Sequence, residues 1–212
     1  QRVLTLAKEL EDSFNNDCRY VCLTDLDLDE WFPPVERIRN HRFTRYTSLE
    51  VLFFYREYIF HHLCVVCRAK IDDFDVFFEG FTSVLVKLFS LRCAGKELDF
   101  LISWVDFEKS VKKNGSEITF NYKDFVRKSL GKSNLSEELE GVIANASRWE
   151  EKFAGDPRRF IRGHDFVRLM AWSVKNYNGV KEVSTESATS RILVSAAANN
   201  HEIAEELNFV LA

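Results

Sequence analysis

Two eight-residue strings, IRNHRFTR at positions 38–45 and IRGHDFVR at 161–168, repeat Ile, Arg, His, Phe and Arg in one spacing. The residues in and around them are of the kind that handles phosphates and bases. Arg37, Arg39, Arg42 and Arg45 stand beside His41, Phe43 and Tyr46, while Arg158, Arg159, Arg162 and Arg168 stand beside Phe160, His164 and Phe166. Guanidinium groups pair with phosphate oxygens bidentately and stack on bases, and neighbouring rings give unpaired bases a platform. The candidate nucleic-acid contacts are therefore Arg37, Arg39, His41, Arg42, Arg45, Arg158, Arg159, Arg162, His164 and Arg168, with single-stranded RNA as the ligand. The same rings also suit the core face of an amphipathic helix, and the arginines can pair with the chain's own acids. Because a chain of this length yields about one such match by chance, and flanking residues do not extend it, the strings are read for their charge and not as a duplicated unit.

RFIRGH sets Arg159 and His164 four intervening residues apart. This resembles the arginine–histidine motif of the HEPN ribonucleases, helical proteins in which such a string sits on a helix. The resemblance implies metal-independent RNA cleavage, with His164 as acid or base, Arg159 stabilising phosphate charge, and a dimer completing the site. Phe160 stands where that motif usually has a polar residue. Five steps along a helix turn the two side chains about 140° apart, so the site would need a bend or a partner. A second string of this form, REYIFH from Arg56 to His61, lies in a segment read as core.

Other chemistry is less well supplied. Asp25, Asp27, Asp29 and Glu36 take calcium-loop positions, but Glu30 replaces the turn glycine and Pro33 stands at the ninth place, so an acidic loop is the better reading. His61, His62, Cys64 and Cys67 are zinc-ligand types set among valines and leucines, where cysteine acts as a small hydrophobe. Asp72 and Asp73 suit a helix N-terminus. Neither a glycine-rich phosphate loop nor a Gly-X-Ser-X-Gly nucleophile turn occurs. No metal and no cofactor is expected.

Positioning these residues falls to helices. The chain has 212 residues, of which 46% are hydrophobic, enough to bury a core, and only 3 prolines and 8 glycines to make turns. Its 19 phenylalanines imply a thick core or an apolar contact face. A net charge of −4 excludes a uniformly basic coat for polyanions. The odd set of 5 cysteines, with neither a secretory leader nor a long uncharged apolar run, fits a reduced intracellular (cytoplasmic) or virus-internal setting with no membrane partner.

Periodicity predicts helices over 3–14, from Pro34 through VERIRNHRF, and from a Thr47–Glu50 capping box to about Arg68. Along the last, Glu50, Glu57, His61 and Arg68 form one polar stripe. A second apolar rod spans 73–91 with Gly95 as terminator, followed by a helix over KELDFLISWVDFEKSV ending near Lys113. One short strand or hairpin is expected near 113–122, then helices over YKDFVRKSL, through Trp149 (capped by Asn134 or Ser136), and from an Asp156–Pro157 start. Residues 178–187 read as a linker before a helical tail. The expectation is an all-α, multi-helix globular bundle built round rods at 48–69 and 73–92. It forms a single domain over 1–212, with sub-lobes 1–95 and 96–212 as the alternative.

The favoured function is a non-enzymatic interaction or assembly protein, a scaffold or adaptor. Its Phe-rich faces and helical tail would contact a protein partner or other copies of itself. An RNA-binding assembly protein of nucleoprotein type is the second reading, and a HEPN-like ribonuclease acting through Arg159 and His164 is the third.

Overall fold

A computed structural model describes residues 5–6, 8–10, 20–32, 40–197, 201, 203–205 and 208. The helices over 3–14 and from Pro34 lie largely outside these residues, as do Arg37 and Arg39. The fold is helix-dominated, with two small two-stranded sheets. Strands β1 (Cys22–Thr24) and β2 (His41–Phe43) pair in parallel, Cys22 against His41. That pairing corrects the helical reading of the second half of VERIRNHRF and adds a second small sheet to an otherwise helical fold.

The apolar run after Asp73, read from the sequence as a rod over 73–91, becomes the central helix. The α-helices bounded within the described residues are, in chain order, α1 (Arg56–Phe60) and α2 (Phe74–Glu97), then α3 (Tyr122–Lys132), α4 (Leu139–Lys152), α5 (Gly163–Asn176) and α6 (Glu186–Ala197). Asp73 caps α2, its carboxylate accepting from the Asp75 and Val76 amides at 3.1 Å each. Replacing Asp73 by Ala frees both amides and is expected to cost about 1 kcal/mol, read as a lowered urea midpoint. Along α2, Phe77, Phe81, Leu85, Leu88 and Phe89 are fully buried, and α4 forms its most extensive helix contact. Gly80 admits the hairpin, since a Cβ there would lie 2.6 Å from the Ile118 carbonyl oxygen. The helix runs past Gly95 to Glu97.

The other rod, 48–69, is not one helix. Val51, Leu52, Phe53 and Phe54 are all buried, and four consecutive side chains cannot share one helical face. Residues 50–53 form a 3-10 turn, Tyr55 is extended, and α1 leads directly into a π-helix at His61–Val66. Thr47 does not cap this segment: its hydroxyl donates to the Ile161 carbonyl. Glu50 instead lies against the start of α5, its Oε2 2.6 Å from where a Gly163 Cβ would be.

KELDFLISWVDFEKSV also departs from the helical expectation. After α2 ends, Asp99 takes φ 55° and residues 100–106 run without helix, Phe100, Ile102 and Trp104 packing on the core while Leu101 is exposed. Hydroxyls of Ser133 and Ser129 accept from the Ser103 and Val105 amides at 2.8 and 3.2 Å. The hairpin near 113–122 is present as β3 (Val111–Asn114) and β4 (Glu117–Phe120), turning at Gly115 with φ 59°.

The phenylalanines mostly fill the interior. Rings of Phe54, Phe77, Phe81 and Phe166 join α2, α5 and the 50–54 segment, and Tyr177 stands edge-on to Phe77 at 5.2 Å. The tail docks on its own chain through Leu193 and Ile203. No helix among the described residues is long and apolar enough to cross a membrane.

Candidate functional site

The two opening strings adopt different structures. His41, Arg42 and Phe43 lie in β2, whereas Gly163 to Arg168 form the first turns of α5, so they are not two copies of one unit. His41 is buried, its Nε2 2.6 Å from the Thr24 hydroxyl, and His164 is half exposed. Burial, then the neighbouring Arg42 charge, pulls the His41 pKa below its ordinary value. Arg42 donates to the His41 carbonyl at 3.0 Å, and Arg45 lies 5.5 Å from the Tyr46 ring centre.

Arg158 reaches the same Tyr46 ring at 4.2 Å and the Tyr55 ring at 4.6 Å, so the strings meet at one aromatic residue. Its guanidinium is largely buried and pairs with Asp156 at 2.6 Å. Burial opposes that charge, but the Asp156 carboxylate outweighs it and the Arg158 pKa is raised. Arg159 pairs with Glu30, and Arg162 with Asp27 at 3.3 Å. Arg168 binds Asp106 and Glu108 at 2.7 and 2.9 Å; burial lowers its pKa, yet these two carboxylates raise it overall. Each arginine of the second string thus has an acid, drawn from a different part of the chain.

These pairings send the side chains to different sides. Arg162 borders an open cleft of about 630 Å³ with Arg92, Lys96 and Asp27. His164 and Arg168 line another, of about 570 Å³, together with Trp172 and Lys175. Arg159 borders neither of these. Its partner Glu30 and the His164 partner Glu186, 2.9 Å from the imidazole Nδ1, are separate groups, so within one chain Arg159 and His164 do not share a partner. The acidic loop is likewise spent on ion pairs, Asp27 to Arg162 and Asp29 to Lys96 at 3.2 Å. Glu36 lies outside the described residues. Among the described residues no three His, Cys, Asp or Glu side chains gather as a metal site.

An apolar surface was not legible in advance. The inner side of α1 and the π-helix buries Ile59, His62, Leu63 and Cys67, while the outer side leaves Phe60, Val65 and Val66 at 42%, 54% and 44% exposure. Five-residue spacing puts Phe60 and Val65 on one side of the wider π-turn, a signal a search at the α-helical period misses. The sequence also gave no weight to the Arg92–Asp165 pair between α2 and α5, where Asp165 is 1% exposed and held by two hydrogen bonds of 2.9 and 2.8 Å. Compared with known protein families, with curated proteins and with solved structures, the chain matches none of them.

Proposed function

We propose that this chain is a non-enzymatic interaction or assembly protein, a multi-helix bundle that contacts other copies of itself through the outer side of α1 and the π-helix. The observation that carries this reading is the exposure of Phe60, Val65 and Val66 on one continuous helical segment whose opposite side is fixed in the core. Neighbouring apolar groups left in water favour association. Arg158, Arg159, Arg162 and Arg168 are engaged by acids, which favours this reading over RNA binding. Unpaired thiols at Cys22, Cys64, Cys67 and Cys93 agree with a reduced intracellular or virus-internal setting. Burial pushes the Cys67 and Cys93 thiols up to about 11 and about 12, which keeps them protonated and unreactive.

Sedimentation over a concentration series tests the proposal. The native chain is expected to self-associate, and a Phe60→Ser, Val65→Glu variant with unchanged circular dichroism to remain monomeric. A native chain that stays monomeric at the highest concentration, or a variant that associates equally well, overturns it.

A further inference from the structure

Two Asn-Gly pairs occur in the chain, Asn114–Gly115 at the tip of the β3–β4 hairpin and Asn178–Gly179 after α5. Such a pair carries its own reaction. The backbone nitrogen of the glycine can attack the side-chain carbonyl carbon of the asparagine, and glycine, lacking a Cβ, shields that nitrogen least. The attack needs an amide that is free and a backbone with room to bring it round. The fold treats the two pairs oppositely.

At the hairpin tip both residues are exposed. Asn114 ends the ladder opposite Glu117, and Gly115 follows it outside the ladder with φ 59°. Neither the Gly115 amide nor the Asn114 side chain forms a hydrogen bond among the described residues, and a Cβ on Gly115 would meet no atom within 4 Å. Asn178 is exposed too, but the Gly179 amide donates to the Val174 carbonyl at 2.8 Å. On either side the Tyr177 carbonyl accepts from the Lys70 amide at 2.6 Å, and the Val180 amide donates to the Cys67 carbonyl at 2.8 Å. A Cβ on Gly179 would lie 2.8 Å from the Cys67 carbonyl oxygen, so this backbone has no room to turn.

We propose that Asn114 is a site of self-modification, deamidated through its own neighbour Gly115, and that the fold protects Asn178 from the same reaction. The Gly115 nitrogen bonds to Asn114 Cγ and gives up its proton; the Cγ–Nδ2 bond breaks, and the amide leaves as ammonia with that proton. Water then opens the cyclic imide at either of its two carbonyls. Breaking the new bond gives aspartate, and breaking the original peptide bond gives isoaspartate, with the chain running through the side chain. Nothing is oxidised or reduced. The longer isoaspartate backbone breaks the pairing with Glu117 and displaces Ser116, which ties the tip to the core. Its hydroxyl accepts from the Asp73 amide at 2.9 Å, and its carbonyl accepts from the Tyr177 hydroxyl at 2.9 Å. The reaction does not depend on self-association.

The full chain, held for days at body temperature and mildly alkaline pH, is tested folded and, in parallel, unfolded in guanidinium, then cut into peptides and weighed. Unfolded, both asparagines are expected to lose their amides at similar rates. Folded, Asn114 should be lost while Asn178 reacts about tenfold more slowly or less, because the Gly179 amide must first be freed. An endoprotease that cuts at aspartate but not at isoaspartate distinguishes the two products. Asn114→Ser should abolish the loss at the hairpin and leave Asn178 as it was. The aged chain, separated by its added negative charge, should have a lower urea midpoint than the fresh chain. Folded chain in which Asn114 keeps its amide as long as Asn178, or in which both are lost equally, overturns the proposal. An isoaspartate form with the fresh chain's urea midpoint overturns the effect on the hairpin.

Discussion

Replacing Arg92 by Ala is expected to destabilise the protein by about 3–5 kcal/mol. The carboxylate of Asp165 is almost wholly removed from water and receives both of its strong bonds from that one guanidinium, Nε to Oδ2 and Nη2 to Oδ1. Removing the arginine leaves a buried charge opposed by the amide ends of the first turn of α5. Water reaching Asp165 through the cleft that Arg92 borders pulls the cost toward the lower figure. A domain is stable by only about 5–15 kcal/mol in all, so the urea midpoint should fall by roughly 1–2 M at the slope usual for this size. Arg92→Lys keeps the charge but loses the two-pronged geometry and should lie between. Arg92→Met with Asp165→Leu removes both charges and should recover most of the loss. A single Arg92→Ala variant within about 1 kcal/mol of the native chain would show that the pair is not needed.

The parts of this fold that were legible in the sequence are those fixed by local pattern. In α2 the buried Phe74, Phe77, Phe81, Leu85 and Leu88 recur at three and four residues, and Asp73 supplies the start, so periodicity and cap agree. Asn114 and Gly115 mark the hairpin for the same local reason. Pattern fails where burial is dictated from outside. Residues 51–54 are surrounded by core and abandon any single period. Residues 100–106 lie in a segment read as helix, yet Phe100, Ile102 and Trp104 pack at every second position. Strand β1 meets β2 only through residues nineteen positions on, Cys22 with His41, and no local signal specifies that register.

The candidate site divides along the same line. Residue types gave the arginines and histidines, but their chemistry depends on what faces them. Glu30, Asp27, Asp106 and Glu186 come from distant segments and decide that Arg159, Arg162, Arg168 and His164 enter separate surroundings. The stripe of His164, Arg168, Trp172 and Lys175 could have been read from its helical spacing alone. Trp172 and Lys175 lie beyond the eight-residue match between the two strings, so that match does not show it.

The other large effect concerns acid. His62 is 1% exposed on the inner side of the π-helix, and neither ring nitrogen has a hydrogen-bond partner. Its nearest ring is Tyr58, with centres 6.2 Å apart. Burial, with a smaller contribution from the neighbouring His61, pulls its pKa from the ordinary 6.5 to about 4. The folded chain therefore holds His62 neutral at pH values where the unfolded chain is protonated. Stability from this residue is fully present above about pH 6.5 and is lost as pH falls toward 4, about 3 kcal/mol in all. Asp25 acts in the opposite sense: loss of hydration, then Glu50 and Asp27, raises its pKa to about 6, which favours the folded chain as pH falls. Asp25 lies at the surface, where solvent screens that contribution. His62→Leu keeps an apolar group of similar size and removes the titration. Urea midpoints measured near pH 7.5 and near pH 4 should show the native chain losing about 3 kcal/mol more than this variant. Parallel losses in the two chains would mean that His62 takes up its proton without cost, through a water or a ring movement that opens the π-helix.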